Sequence, residues 1–310
     1  MLGDLRFVIV AGKGGVGKTA VSAALALSLA RKGRRVLVAM CNAKDRLSHL
    51  LEVPPIGSEI RPIGPGIDAV NMDPGAALQE YGMLILKVRA LSKLIFENRL
   101  VSAFLRGTPG IEAWALLGKA QYHAFETLRD GRYRYDTVIV DAPATGHGLE
   151  LLRVPRVILD VVPPGLLRRE AERAWDLFSD PRRAGVLIVT TPEELPANEA
   201  TELYEALRDE LHLPVCGLAI NMVLPALFSA TQVDALAALR KRVDTGSPLA
   251  QLLDASEWRV ARERVQRESL TRLAQAIPAP RYELPMLFSP DLRRPEVELL
   301  SQKLDAEPPT

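Results

Sequence analysis

The chain has 310 residues, enough for one large or two modest domains, and its 48% hydrophobic content supplies a core and excludes global disorder. Its 39 Lys+Arg against 38 Asp+Glu leave a formal charge of +1, so no net field recruits nucleic acid or an anionic membrane. Two cysteines, Cys41 and Cys216, exclude a disulfide framework and a cysteine-built zinc clasp within the chain. Residues 1–6 carry no signal-peptide pattern, and no apolar run approaches the ~20 residues of a spanning helix. Together these features predict a soluble protein of a reducing, cytoplasmic compartment, with no direct membrane insertion.

Short apolar runs predict strands at 7–11, 35–40, 67–72, 137–141, 186–190 and 215–221, with a shorter one at 282–284. A helical pattern at 19–32 follows the first. Pro54, Pro55, Pro62 and Pro65, with Gly57, Gly64 and Gly66, mark a long loop before the third strand. Between 76 and 130 no strand is expected; Leu84, Val88, Leu91 and Ile95 recur at helical spacing, followed by Val101, Phe104 and Leu105. After Pro155, residues 166–178 again read as helix. The pattern predicts an α/β, doubly wound, mainly parallel sheet in a single domain, 1–310, with helical insertion segments at 76–130 and 156–184 on one edge of the sheet.

Gly12, Lys13, Gly14, Gly15, Val16, Gly17, Lys18 and Thr19 fit the G-x-x-x-x-G-K-[ST] phosphate loop, between a predicted strand and a predicted helix that continues through Ala20. Glycines let backbone N–H groups wrap a phosphate, and the helix presents its positive end. In this chemistry Lys18 reaches the β- and γ-phosphates of ATP and the Thr19 hydroxyl binds Mg²⁺. Only nine residues of the chain are lysine, yet two stand in this loop. Lys13, directly after the first glycine, resembles the signature of the deviant Walker A class of P-loop NTPases, whose extra lysine acts on the nucleotide of the facing subunit in a dimer.

Asp141-Ala142-Pro143-Ala144-Thr145-Gly146-His147 resembles the D-T-A-P-T-G-H signature of the ATPases that power arsenite pumps and target tail-anchored membrane proteins, with Ala-Pro-Ala where that family has Thr-Ala-Pro. Leu149 through Pro155 and Thr191-Pro192-Glu193-Glu194-Leu195 are also similar to that family. The resemblance implies that Asp141 holds Mg²⁺ through water, that Thr145, Gly146 and His147 form a switch sensing the γ-phosphate, and that Glu199 and Asn221 contact nucleotide, Asn221 beside the adenine. It also implies a homodimer, or a heterodimer with a related ATPase.

Two departures qualify what the resemblance implies. Where the family carries D-P-A-H-[NS]-L-S, this chain has Cys41 in the same loop, then Asn42-Ala43-Lys44-Asp45-Arg46-Leu47-Ser48, which puts Asn42 at the position of the aspartate that activates the attacking water. An amide positions a water but cannot take its proton; hydrolysis is therefore expected to be slow, with Asp45 as a substitute that spacing does not support. The cysteine count speaks against an arsenite site, and Cys216 reads as a buried core thiol. Two functions remain open. One is a nucleotide-driven dimeric switch acting on a protein client at the helical surface, the other a hydrolysis-impaired regulatory or scaffolding subunit paired with an active relative. The apolar residues from Leu84 to Phe104 read more simply as packing on the sheet than as a client groove.

Overall fold

The computed structural model describes residues 2–41, 43–86, 110–143 and 145–305. Its strands are β1 (Phe7–Ala11), β2 (Val36–Cys41), β3 (Arg61–Gly64), β4 (Ile67–Met72), β5 (Thr137–Asp141), β6 (Ala184–Thr190), β7 (Val215–Val223) and β8 (Arg281–Pro285). They form one sheet in the order β3-β4-β2-β5-β1-β6-β7-β8, parallel throughout except for the antiparallel β3–β4 edge pair. The described helices are α1 (Lys18–Arg31), α2 (Arg46–Leu51), α3 (Pro74–Leu86), α4 (Ile111–Phe125), α5 (Thr145–Val161), α6 (Leu166–Phe178), α7 (Glu194–Glu205), α8 (Ala230–Arg240), α9 (Pro248–Ala276) and α10 (Arg294–Asp305).

The two faces follow from the strand period of two. Phe7 and Ile9 of β1 and Val138 and Val140 of β5 point to one face, where Trp114 and Leu117 of α4 and Leu177 and Phe178 of α6 cover them. Val8, Val10 and Ile139 point to the other, under α1 and α10. Both faces are dry, which is why β1 and β5 are apolar at every position before Asp141 except Thr137. Phe7 and Phe178 rings lie 5.1 Å apart, tying β1 to α6. Trp114 is 1% exposed, and truncating it to alanine should cost about 3–5 kcal/mol.

Three expectations are corrected. The proline-rich stretch before β4 contains the strand β3; Pro62 is tolerated because β3 is the sheet edge, where a missing N–H donor breaks no ladder, and the register shifts beside it. Helix α5 runs through Pro155 to Val161, so a boundary at 156 falls inside a helix; Leu151, Leu152 and Ile158 keep its inner face in the core on both sides of the proline. Helices α4 and α6 lie on a face of the sheet, within the main core, rather than at its edge. Of the apolar residues read between 84 and 105, Val88, Leu91, Ile95, Val101, Phe104 and Leu105 lie outside the described residues.

Candidate nucleotide site

The loop from Gly12 to Gly17 joins β1 to α1 at the carboxyl ends of the strands, the end where open α/β sheets bind ligands. Two of its glycines are required by close approach. A Cβ on Gly12 would lie 2.1 Å from the Val189 carbonyl oxygen, and one on Gly17, whose φ is +92°, would lie 2.3 Å from the Asn221 amide nitrogen. Gly17 in this left-handed conformation is the N-cap of α1 and makes no side-chain cap, leaving the first N–H groups of the helix to a ligand.

Lys18 folds back across the loop, its Nζ donating to the carbonyls of Gly12 at 3.0 Å and Lys13 at 2.9 Å. Burial lowers its pKa, an effect opposed by the nearby Asp141 carboxylate. Asp141, at the last position of β5, is 4% exposed and accepts from Thr19 Oγ1 at 2.7 Å and from Ser22 Oγ at 3.3 Å. Burial raises its pKa, against the Thr19 and Ser22 hydrogen bonds and the Lys18 charge. A hydroxyl beside a carboxylate, open to a cavity, is an oxygen donor set of the kind Mg²⁺ takes when phosphates complete its shell. Ser22, three residues beyond Thr19 on the same helix face, was legible from that spacing but not singled out.

Lys18, Thr19 and Asp141 line a cavity of 880 Å³ together with Gly15, Ala43–Arg46, Met222 and the 289–292 loop. The register of β7 shifts between Ile220 and Val223, around Asn221 and Met222. Asn221, 4% exposed, donates from Nδ2 to the Val16 carbonyl at 2.9 Å, so it supports the phosphate loop from the neighbouring strand. Met222 follows with φ +59°, an unusual conformation for a side-chain-bearing residue, and lines the cavity. The strand thus continues two residues past Asn221, which is not its end.

Lys13 does not line this cavity. Its Nζ lies 2.5 Å from Glu199 Oε1 on α7, with both side chains about one-quarter exposed. Two sequence candidates are therefore partners of each other in this chain. Thr145 and Gly146 open the first turn of α5 with His147, but their side chains lie outside what is described. Asn42 also lies outside the described residues.

The residues flanking position 42 are anchored in ways that sequence did not reveal. Cys41 is the last residue of β2, paired with Met72, and belongs to the strand rather than the loop; burial pushes its thiol up to about 12. The Asn71 side chain clamps Ala43, accepting from its N–H at 3.2 Å and donating to its carbonyl at 2.8 Å. Asp45 is the N-cap of α2: one oxygen accepts from Ser48 N–H at 3.1 Å and the other from Ile56 N–H at 2.7 Å. Across the mouth, His49 Nε2 lies 2.6 Å from Asp291, whose pKa is held low by that hydrogen bond and by Arg293. Cys216 sits on β7, partly exposed as a residue but packed against the core, and burial pushes its thiol up to about 12. Among the described residues, no three His, Cys, Asp or Glu side chains gather as a metal cluster, and no helix is long and apolar enough to cross a membrane.

Comparison with known proteins places this arrangement. ATPase BagA of Mycobacterium tuberculosis is 28% identical, over 92% of this chain and 88% of its own length. The arsenical pump-driving ATPase of Escherichia coli is 29% identical over 75% of this chain, a match that spans 41% of that protein. ATPase get3 of Botryotinia fuckeliana is 32% identical over 50% of this chain and 44% of its own length. The family model of the anion-transporting ATPases matches residues 5–163, which hold β1, the phosphate loop, Asp141 and the whole of α5. With half of its length matched by that model and the phosphate loop, Thr19 and Asp141 assembled around one cavity, this chain is a member of the anion-transporting ATPase family.

Proposed function

We propose that this chain binds ATP with Mg²⁺ in the 880 Å³ cavity and works in the cytoplasm as a dimeric, nucleotide-driven switch acting on a protein client. The observation that carries the reading is the Thr19–Asp141 hydrogen bond at 2.7 Å beside Lys18, because it brings the metal-side and phosphate-side groups of a P-loop to one point. In this reading the N–H groups from Gly14 to Ala20 hold the phosphates, and Lys18 exchanges its two carbonyl acceptors for phosphate oxygens. Thr19, by its hydroxyl, and Asp141, through water, would hold Mg²⁺, which would supply charge neutralisation at the phosphates. Asn221 keeps the loop in place with its Nδ2 and offers its Oδ1 to the adenine. Thr145, Gly146 and His147, at the start of α5, serve as the γ-phosphate switch. The chain is one ATPase domain in which helices α3, α4 and α6 carry the client surface, and its dimer partner is a second copy or a related ATPase.

A slow or hydrolysis-impaired form of this function is favoured by one observation. Each carboxylate lining the cavity among the described residues is already engaged: Asp45 by two backbone N–H groups, Asp141 by Thr19 and Ser22, Asp291 by His49 and Arg293. With Asn42 in the water-activating position, the attacking water is oriented but keeps its proton until another base takes it. The test is MgATP binding by calorimetry together with turnover of the purified chain and of Asn42→Asp. The expected result is tight binding, slow wild-type turnover and a gain of at least tenfold, about 1.4 kcal/mol of barrier, on restoring the carboxylate. Absence of MgATP binding overturns the reading; fast wild-type turnover that Asn42→Asp leaves unchanged overturns the role given to Asn42.

A further inference from the structure

A second cavity, of 840 Å³, opens between α3, α4 and α6 and shares no lining residue with the first. It lies at the other end of the sheet. Its wall residues Glu126 and Thr127 precede β5 and Arg183 precedes β6, whereas the nucleotide cavity is built from residues that follow β1, β2 and β5. Nothing in the proposed ATP reaction uses it.

One polar group of its wall, the Tyr81 hydroxyl, is buried without a partner. Gln121 on α4 is 4% exposed and lines the wall. Tyr81 on α3 is also 4% exposed, and its hydroxyl has no partner. The Tyr81 ring lies directly on the α4 backbone, where a Cβ on Gly118 would come within 2.4 Å of it, so the glycine is what admits the phenol. Buried donors and acceptors left unpaired are costly, and a ligand that pairs them recovers that cost as affinity.

The charges of the wall do not cancel locally. Glu170 is taken by Arg173 at 2.8 Å, and Glu126 by His123 at 2.7 Å and Arg134 at 2.9 Å. Arg169 and Arg183 form no ion pair with a described residue; the Arg183 guanidinium instead lies 5.3 Å from the Phe125 ring centroid. Asp176 is the one wall carboxylate without a described ion pair. Among the described residues, two wall cations without an ion pair, of which Arg183 also acts on the nearby Asp180 carboxylate, thus stand with one such carboxylate, beside the half-exposed apolar surfaces of Tyr122 and Leu166. A cavity of this volume suits a ligand of drug-like size.

We propose that this cavity is a binding site for an organic carboxylate with an aromatic body. The carboxylate meets Arg169 and Arg183, the ring packs against Phe125 and Tyr122, and polar substituents pair with Gln121 and Tyr81. The test is calorimetric titration of the full chain with 2-naphthoate, and with 2-naphthalenemethanol as its neutral counterpart, each without and with saturating MgATP. The expected result is one-to-one binding of 2-naphthoate that MgATP and Lys18→Ala leave unchanged. Affinity should fall about tenfold or more for the neutral compound and for Arg169→Ala, an exposed substitution that spares the fold as checked by thermal melting. Absence of 2-naphthoate binding, equal binding of the neutral compound, displacement by MgATP, or unchanged affinity in Arg169→Ala each overturns the proposal. Because Lys18→Ala removes only the nucleotide cavity's phosphate cation, failure here is separate from failure of the ATP reading.

Discussion

The Lys13 ammonium is held 2.5 Å from the Glu199 carboxylate, so the lysine after the first glycine of the phosphate loop is neutralised by α7 of its own chain. The pair lies to one side of the cavity that Lys18 and Thr19 line. A lysine held this way has to leave Glu199 before it can serve a phosphate, in this subunit or another. Because both side chains are only partly exposed, the pair should contribute about 0.5–1 kcal/mol to the nucleotide-free chain. A double-mutant cycle of Lys13→Ala and Glu199→Gln, read by thermal unfolding, should give that coupling, and saturating MgATP should reduce it. Lys13→Ala should bind MgATP as wild type does, while its MgATP-dependent association in sedimentation is weakened. Identical association in wild type and variant would remove the trans role of Lys13.

If Lys18 carries the binding of phosphate as proposed, Lys18→Ala should abolish ATP binding by calorimetry. Its depressed pKa adds a second, sharper readout. In the free chain burial favours the neutral amine, so Lys18 gives up its proton below its ordinary 10.5. A phosphate beside it favours the ammonium and raises the pKa again. Binding of ATP in the alkaline range should therefore take up protons, seen as a dependence of the calorimetric heat on buffer ionisation enthalpy. Net uptake should disappear in Lys18→Met.

Asp141 is a buried carboxylate whose folded pKa is raised above 3.8 by burial. The native chain then holds its proton more tightly than the unfolded chain, and stability falls as pH rises from the unfolded pKa through the folded one. Near neutral pH the ionised group is a liability in the metal-free chain. Asp141→Asn should consequently raise the metal-free melting temperature, by roughly 2 °C for about 1 kcal/mol, and erase the stabilisation that Mg²⁺ gives with ATP. A variant that melts lower than wild type without metal would show that the Thr19 and Ser22 hydrogen bonds outweigh the burial cost.

Asp45 is committed to the backbone of α2 and of Ile56. Asp45→Ala should cost about 1–2 kcal/mol of stability through loss of the cap, whereas Asp45→Asn, which keeps one acceptor, should cost less and leave turnover within about twofold. A large loss of turnover in Asp45→Asn with stability unchanged would make Asp45, rather than position 42, the group that handles the water.

Much of the nucleotide end was readable because a P-loop is local. A strand of five apolar residues, six residues of loop and a helix beginning at Lys18 are contiguous in sequence, and their glycines announce positive φ before any partner is known. Asp141 was readable for a similar reason, as the first polar residue after four strand residues of which three are apolar. The α/β alternation and the parallel sheet likewise follow from short apolar runs separated by helices. The strand β3 was hidden because its proline and glycine, Pro62 and Gly64, spell loop, and only pairing with β4 at an edge makes such residues a strand.

By itself, then, the sequence determined the phosphate-loop motif, the family and the positions of most strands, since each depends on patterns of residues close together in the chain. Which groups meet across long separations was decided by tertiary structure alone. The partners of Lys13, Ala43 and Val16 lie 186, 28 and 205 residues away, on α7, β4 and β7. No periodicity encodes such pairs, because a hydrogen bond between distant segments is set by sheet order and by the register of each strand, and the sheet places β1 between β5 and β6 only once the whole chain has closed around it. The second cavity is of the same kind: Tyr81, Gln121 and Arg169 carry no common pattern, and they share a wall because α3, α4 and α6 pack on one face of that sheet.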